Sequence, residues 1–274
     1  MKYLTGSVPP LTEEGMKTAF ITGANRGIGL EIVKQLIRRY HFDRVFLGCR
    51  DLGKLKTVLN DEMCSWAEKL FPIQVDVGDY DSVAKAYTSY LEIVGSGDHT
   101  LTLFINNAAV NLDWQYGGFK TKSLDIDPQT LERIFRINAF GTLYTIQIFN
   151  PSFKAGTRVV NVCSGSAELA RDELAFTDFQ IGYASSKAAQ LMITKKLAAA
   201  LFKRGVCINA VCPGSVRTDM GGLAVNKRTL EIGATGVILS AFLDRNNPPT
   251  GSFFRDGKRI PTDFYSKDFD GTKY

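Results

Sequence analysis

Short apolar runs alternate with longer stretches in which apolar residues recur at helical spacing. After the first run, at 18–22, the residues Ile28, Ile32, Leu36 and Tyr40 fall on one helical face. The same alternation predicts seven strands, at 18–22, 44–49, 71–77, 101–107, 158–163, 206–212 and within 251–260, where a turn ends the pattern. It predicts helices over 28–40, 79–94, 127–150, 178–204 and 229–243, and a broken helical stretch over 52–70.

The predicted strands are apolar along their whole length rather than at every second position. This is expected when both faces of a sheet are covered. Strands separated by helices form right-handed βαβ units around a parallel sheet. Since no linker, repeat or low-complexity tract divides the chain, we predict one α/β, doubly wound domain over 17–274, preceded by a polar N-terminal extension at 1–16.

Composition and charge narrow the class of protein. Of the 274 residues, 45% are hydrophobic and 22% are charged, which is ordinary for a soluble chain with a sizeable core. The net charge of +5 comes from scattered Lys and Arg residues without a basic run. We therefore expect no nucleic-acid partner.

Cysteine usage and hydropathy bear on compartment and metal binding. The five cysteines form no Cys-x2-Cys pair and the chain has only two histidines, so we expect buried free thiols and no metal site. Free thiols indicate a reducing compartment, and we expect a cytoplasmic protein. No stretch has the length and apolarity of a signal peptide or a membrane span, so we expect no membrane partner.

A glycine-rich turn joins the first predicted strand to the first helix in "FITGANRGIGLEIVKQL". Its glycines are Gly23, Gly27 and Gly29. Glycine lets the backbone turn tightly and approach a ligand, and the N-terminus of the following helix presents free N–H groups to an anion. Between a strand and a helix, this pattern predicts a dinucleotide site.

The spacing Gly-x3-Gly-x-Gly resembles the short-chain dehydrogenase/reductase family rather than the commoner Gly-x-Gly-x2-Gly pattern. The resemblance extends from residue 18 to about 260, because further motifs follow in the family's order. They are "INNAA" after the fourth strand, "RINAFGT" in a helix, "NVCSGSA" after the fifth strand, then "YASSK" and "CPGSVRTDM". The resemblance implies a Rossmann-type domain with a seven-stranded, mainly parallel sheet and helices on both faces.

Charged residues near the glycine turn bear on the choice of cofactor. Asp51 lies where an acid that binds the adenosine ribose would favour NAD. Arg26 and Arg50 favour NADPH/NADP+, because two converging guanidinium groups match a 2′-phosphate. The resemblance implies that the cofactor contacts come from Gly23, Asn25, Arg26, Gly27, Ile28, Gly29, Arg50, Asp76, Val77, Asn107, Ala108, Tyr183, Lys187, Pro213, Gly214, Val216 and Thr218.

Tyr183 and Lys187 are four residues apart, so on a helix they share one face. A free phenol has a pKa of about 10, and a nearby ammonium favours the phenolate, so we expect Lys187 to lower the pKa of Tyr183. The resemblance implies that Tyr183 is the general acid of carbonyl reduction and that Lys187 also binds the nicotinamide ribose. It further implies that Ser164 hydrogen-bonds the substrate oxygen, and that Asn138 holds a water linking Lys187 to solvent.

The stretches "GANRGIGLEIVKQL", "GCRD" and "GSFFRDGKRIP" resemble the branch of carbonyl reductases and sniffer-like proteins. That branch reduces aldehydes, ketones and quinones with NADPH, which implies a small-molecule carbonyl substrate here. Two alternatives stay open: a non-catalytic protein of this fold that senses a dinucleotide, and an alcohol dehydrogenase working in the oxidising direction. Family members often pair through the helices that correspond to 127–150 and 178–204, so the resemblance allows a homodimer or a homotetramer.

Two features depart from the family's pattern. Ala109 stands where the family usually has Gly, which Ala can replace if its backbone torsion is ordinary. The segment 165–182 is longer than in the shortest family members. Together with 110–122 and 220–228 it is expected to border the substrate pocket, which aromatic residues of these segments would line: Trp114, Tyr116, Phe119, Phe176 and Phe179.

Overall fold

The computed structural model describes residues 15–57, 61–115, 122–169, 171, 177–220, 227–244 and 248–262. Their strands form one sheet in the order β3-β2-β1-β4-β5-β6-β7-β8. Neighbouring strands are parallel except for β8, which runs antiparallel to β7. The strands are β1 (Thr18–Thr22), β2 (Arg44–Cys49), β3 (Leu70–Gln74), β4 (Leu103–Asn106), β5 (Arg158–Val162), β6 (Cys207–Val211), β7 (Phe253–Arg255) and β8 (Lys258–Ile260).

Helices connect the parallel strands, as the sequence pattern predicts. A π-helical turn, Arg136–Phe140, joins α6 to α7. The α-helices are α1 (Gly27–Arg38), α2 (Leu52–Lys56), α3 (Asp61–Cys64), α4 (Tyr80–Val94), α5 (Leu112–Gln115), α6 (Pro128–Phe135), α7 (Gly141–Phe149), α8 (Ile181–Phe202) and α9 (Leu230–Ala241).

Alternate residues of the central strands point into two cores on opposite sides of the sheet. Ile21 and Ile105 belong to the core that α1 and α9 cover. Their chain neighbours Phe20 and Phe104 belong to the core that α4, α7 and α8 cover, and the two rings stack with centroids 5.6 Å apart. Every position of these strands is therefore buried, which explains their unbroken apolar sequence. The predicted doubly wound α/β fold is confirmed.

The prediction of seven strands was wrong at the end of the pattern, where the chain turns back after β7 to form β8. Asp256 and Gly257 make the two-residue connection, with φ angles of 52° and 73°. Positive φ at both central residues defines the type I′ hairpin turn, which Asp-Gly forms readily. Arg255 then pairs with Lys258. The segment predicted as a turn thus adds an antiparallel edge strand.

The predicted helix over 127–150 begins as the sequence indicates but is not regular throughout. The Asp127 carboxylate accepts a hydrogen bond from the backbone N of Thr130 (2.8 Å), and Pro128 takes the first helical position. The π-helical turn then interrupts the helix, with Asn138 at its centre. Such turns are rare and often occur at functional sites.

The carboxyl ends of β1, β4, β5 and β6 meet at one edge of the sheet. The strand order reverses between β1 and β4, because β2 and β3 lie on one side of this pair and β5 to β8 lie on the other. Ligands of open α/β sheets usually bind in the crevice at such a reversal. This edge carries the glycine turn after β1, Asn107 after β4, Ser164 after β5 and Pro213 after β6.

The cysteines agree with the expectation of free, mostly buried thiols. All five cysteines carry free thiols, and four of them are buried. Within the described ranges, no helix combines the length and the apolarity that crossing a bilayer requires. The same part of the chain contains no cluster of three or more His, Cys, Asp or Glu side chains suited to a metal ion.

Candidate active site

A cleft of about 340 Å³ opens at the edge where the strand order reverses. Gly29, Asn138, Ser164, Gly214 and Val216 are not part of its lining. The other predicted site residues all line it: Gly23, Asn25, Arg26, Gly27, Ile28, Arg50, Asp76, Val77, Asn107, Ala108, Tyr183, Lys187, Pro213 and Thr218.

The glycines of the turn have different structural roles. A Cβ on Gly29 would lie 2.3 Å from the Gly23 carbonyl oxygen, so only glycine lets α1 pack this closely against the turn. Gly27 has a φ of 55°, and the nearest atom to a Cβ there would be Cγ2 of Thr218 at 3.8 Å. Gly29 therefore permits close packing, whereas Gly27 keeps the start of α1 open toward the cleft.

Asn107 ties the glycine turn to the end of β4. Its Nδ2 donates to the carbonyl oxygens of Thr22 (3.0 Å) and Gly23 (3.1 Å). The backbone N–H groups of Asn107 and Ala108 both donate to Oγ1 of Thr22, each at 3.0 Å. Ala109, which replaces the family's usual Gly, is not among the residues with positive φ, so its side chain introduces no backbone strain.

The charged residues Arg26, Arg50 and Asp51 all line the cleft and differ in their partners. Oδ1 of Asp51 accepts a hydrogen bond from the backbone N of Lys54 (3.1 Å) and so caps α2. Arg50 is exposed and lines the cleft. Arg26 also lines the cleft, and its Nη1 lies 2.8 Å from Oδ2 of Asp219, with 59% of the arginine side chain exposed.

The side chains of Ser164 and Tyr183 are neighbours, and the Ser164 hydroxyl favours the charged form of the Tyr183 phenol. Ser164 lies just after β5, where its Oγ accepts from the backbone N of Ser166 (3.2 Å). Burial raises the pKa of Tyr183 above its ordinary value, and the nearby Ser164 hydroxyl offsets only part of that effect. The phenol is therefore protonated at neutral pH.

The expectation that Lys187 lowers the pKa of Tyr183 was wrong. The Lys187 ammonium is buried and donates to the carbonyl oxygen of Val162 (2.8 Å) and to Oε1 of Gln190 (3.0 Å). Burial is the largest cause of the pKa shift in each group, because it disfavours the charged form, which is the phenolate of Tyr183 and the ammonium of Lys187. It raises the pKa of Tyr183 and lowers that of Lys187 to about 8.

Asn138 is fully buried behind the cleft rather than in its wall. Its Oδ1 accepts from the backbone N of Val110 (2.8 Å), and its Nδ2 donates to the Val110 carbonyl oxygen (2.8 Å) and to Oγ of Ser186 (3.0 Å). The side chain thus joins the loop after β4 to α8. Its proposed role in holding a water stays a prediction.

Asp113 is a site residue that the sequence analysis missed. It is buried, and its Oδ2 accepts from the backbone N of Tyr183 (2.9 Å). Gln180, at the N-cap position of α8, has a φ of 64° and forms no side-chain cap, so Asp113 supplies the cap from another segment. Its signal in the sequence is weak, since it is a single acid in the short helix α5.

Arg228 is a second missed residue, and it supports the segment after β6. A Cβ on Gly214 would lie 2.6 Å from Nε of Arg228, so the arginine packs directly on this glycine. The guanidinium pairs with both carboxylate oxygens of Asp256, at 2.6 and 2.8 Å. The Val216 side chain is buried and contacts Gly233 of α9. Only the backbone of Val216 is therefore suited to contact a ligand.

Most of the aromatic residues predicted to line a substrate pocket lie outside the described residues. Tyr116, Phe119 and Phe176 lie outside the described residues, as does the side chain of Trp114. Phe179 is half-buried and is not part of the cleft lining. The aromatic lining of a substrate pocket stays a prediction.

Comparison with known proteins gives agreement along most of the chain. A family model described as short chain dehydrogenase matches residues 17–229. The protein named Oxidoreductase UcpA of Escherichia coli (strain K12) is 31% identical over 206 residues, which cover 74% of this chain and 71% of the relative.

Solved structures agree in fold at lower identity. The NADPH-bound carbonyl reductase from chicken fatty liver matches with a TM-score of 0.77 at 24% identity, over 90% of this chain and 99% of that one. The carbonyl reductase Sniffer of D. melanogaster matches with a TM-score of 0.74 at 20% identity, over 89% and 98% of the two chains. These matches confirm the Rossmann-type architecture. With its motifs on the expected elements and the family model covering residues 17–229, the chain belongs to the short-chain dehydrogenase family of oxidoreductases.

Proposed function

We propose that the protein is an NADPH-dependent reductase that converts the carbonyl group of an aldehyde, ketone or quinone to an alcohol. The observation that carries the proposal is that the Ser164 and Tyr183 side chains are neighbours, with Lys187 one turn further along α8. A carbonyl oxygen that accepts from both hydroxyls is polarised and lies next to a proton donor.

The chemistry of reduction divides between the two hydroxyls and the ammonium. NADPH, when bound, supplies the hydride. As negative charge develops on the substrate oxygen, Tyr183 donates its proton to that oxygen and Ser164 donates a hydrogen bond. The raised pKa of Tyr183 keeps the proton available at neutral pH. The Lys187 ammonium then stabilises the negative charge left on Tyr183.

The residues around the glycine turn fit a dinucleotide with a 2′-phosphate. The open backbone at Gly27 allows a phosphate to approach the N-terminus of α1. Arg50 is available in the wall, and Arg26 forms an exposed ion pair with Asp219, which is weak enough to exchange for a phosphate. Asp51 favours NAD less than its position suggests, because its Oδ1 caps α2. The chicken carbonyl reductase of the same fold was crystallised with NADPH.

Arg50→Ala is expected to weaken NADPH binding by about ten- to a hundredfold and to leave NADH binding nearly unchanged. A hydrogen bond to a charged group contributes about 1.5–3 kcal/mol, and only NADPH carries the phosphate. Fluorescence titration with both cofactors measures the difference. Lys54→Ala, which removes a cation from the same wall, is the matched control. Equal losses of NADPH and NADH binding in Arg50→Ala would indicate instead that Asp51 binds the adenosine ribose.

Ser164→Ala is expected to lower kcat by about 10²-fold while NADPH affinity stays the same, because one preorganised donor to a developing oxyanion has about that effect. Ser166→Ala is the matched control, since its Oγ lies 3.3 Å from that of Ser164. Steady-state kinetics on several carbonyl substrates decide between them. Full activity in Ser164→Ala together with a loss in Ser166→Ala would transfer the role to Ser166.

The proposed function is tested by following NADPH consumption with a panel of quinones, aromatic aldehydes and ketones. Turnover with NADPH that exceeds turnover with NADH is the expected result. NADPH binding without turnover on any substrate would favour a non-catalytic sensor of the same fold. Faster NADP+ reduction with the matching alcohols, under equal substrate concentrations, would favour a dehydrogenase working in the oxidising direction.

A further inference from the structure

Lys187 belongs to a buried hydrogen-bond chain that the proposed reaction does not account for. Its Nζ donates to Oε1 of Gln190 (3.0 Å), and Nε2 of Gln190 donates to Oγ1 of Thr142 (2.7 Å). Oγ1 of Thr142 in turn donates to the carbonyl oxygen of Asn138 (3.0 Å). All four residues are buried. The chain therefore runs, without water, from the ammonium to the π-helical turn.

The hydrogen bonds of this chain form with only one orientation of the Gln190 side-chain amide. An ammonium can only donate, so it takes the amide oxygen of Gln190. The amide nitrogen can only donate, so it bonds to the hydroxyl oxygen of Thr142, and that hydroxyl in turn donates a hydrogen bond to a carbonyl oxygen. An apolar residue at position 190 would leave the ammonium with fewer acceptors. A carboxylate there would face it with a full negative charge.

The ammonium of Lys187 depends on few acceptors. In the described part of the chain, Val162 and Gln190 supply its two hydrogen-bond partners, through a backbone carbonyl at 2.8 Å and a side-chain amide at 3.0 Å. An ammonium has three N–H groups, so one remains for the cleft that Lys187 lines. Among the described residues, Gln190 is therefore the side-chain acceptor that both orients the ammonium and favours its charged form.

We propose that Gln190 is a positioning residue that fixes the Lys187 ammonium and maintains its charge. The kinetic consequence rests on the proposed function, whereas the physical claim concerns the protonation of Lys187 alone. Gln190 stabilises the charged form, in opposition to burial, which lowers the pKa of Lys187 to about 8. Removing its amide oxygen brings the loss of the proton closer to neutral pH.

Few other titratable groups act on the Lys187 ammonium. The thiols of Cys163, after β5, and Cys212, after β6, raise its pKa, and burial outweighs them. Tyr183 lies one turn back on α8 and keeps its own proton, since burial raises its pKa. The groups of the π-helical turn and α7 that join the chain are uncharged. Arg136 of that turn is more than half exposed and is ion-paired.

Two substitutions of Gln190 give shifts of opposite sign. Gln190→Met keeps the approximate shape and removes the acceptor, so deprotonation of Lys187 should move to lower pH by about one pH unit. Gln190→Glu places a carboxylate beside the ammonium, so deprotonation should move to higher pH by about one unit or more. A general loss of packing does not produce opposite shifts, which separates positioning from a merely structural role.

Carbon-13 NMR titration of labelled lysine side chains in the full-length protein measures the protonation of Lys187 directly, and Lys187→Met identifies its resonance. Thr194→Val is the matched control. Thr194 is buried one turn further on α8 and donates to the backbone oxygen of Gln190 (2.9 Å), so its loss should not move the titration. Circular dichroism checks that each variant is folded.

The two hypotheses fail separately. A wild-type protein that shows no turnover would reject the proposed function, whereas the NMR titration would still decide the role of Gln190. Opposite shifts in the Met and Glu variants, with matching shifts in the pH dependence of kcat/KM, support the inference. Unchanged titrations, shifts of the same sign in both variants, or an equal shift in Thr194→Val would overturn it.

Discussion

Tyr183→Phe is expected to lower carbonyl reduction by about 10²–10⁴-fold, the usual contribution of a general acid. The change removes one hydroxyl and keeps the ring, so the fold and NADPH binding should persist. Single-turnover oxidation of bound NADPH by the best carbonyl substrate measures the chemical step, and fluorescence titration measures cofactor binding. The effect is large because the hydroxyl beside Ser164 is also the group placed to donate the proton.

Tyr90→Phe is the matched control for this prediction. Tyr90 is fully buried, its hydroxyl donates to the carbonyl oxygen of His99 (2.8 Å), and neither residue lines the cleft. Its removal should lower the free energy of unfolding by about 1 kcal/mol and leave turnover unchanged. A Tyr183→Phe protein that binds NADPH and reduces its best substrate at nearly the wild-type rate would refute the mechanism.

The fold could be predicted from sequence because its signals are local and repeated. Strands such as β2 are apolar at consecutive positions, and the intervening helices show their own period. The strand that the sequence analysis missed, β8, also had a local signal, since Asp256-Gly257 is a pair that commonly forms a hairpin turn. It was read as a terminal turn because only three residues follow in β8, too few to show a strand pattern.

The candidate site divides into residues with a motif and residues without one. Tyr183 and Lys187 could be located because a spacing of four places them on one helical face. Asp113 could not be located, because its bond to the Tyr183 backbone spans 70 residues and leaves no periodic signal. Gln190 follows Lys187 by three residues, so its proximity was predictable. Its orientation depends on Thr142, from a different helix.

Protonation states were harder to predict than positions. The spacing of Tyr183 and Lys187 correctly indicated that they lie near each other, and from this it followed that the ammonium would lower the pKa of the phenol. Burial is a property of the whole fold, and here it is the largest cause of the pKa shift in both groups, raising the pKa of Tyr183 and lowering that of Lys187. The consequence is that Lys187, and not Tyr183, is the group that titrates near neutral pH.

Reduction by the wild-type protein is therefore expected to fall as the pH rises through about 8, the pKa to which burial lowers Lys187. Below this pH the ammonium is charged and stabilises the negative charge that forms on Tyr183. Above it, the neutral amine cannot do so. Tyr183 does not cause this fall in activity, because its own pKa is raised and it keeps its proton. Profiles of kcat and kcat/KM across this range measure the effect.

Lys187→Ala should lower turnover by about 10²-fold or more, weaken NADPH binding and abolish the fall near pH 8. What activity remains should fall only at higher pH, where Tyr183 loses its proton. Lys196→Ala, which removes an exposed ammonium from the same helix, is the matched control and should retain the wild-type profile. Since residues that act as a unit are not additive, the double variant with Tyr183→Phe should be little worse than the poorer single variant. If the fall near pH 8 persists in Lys187→Ala, the titrating group is another one, and the ammonium does not support the proton transfer from Tyr183.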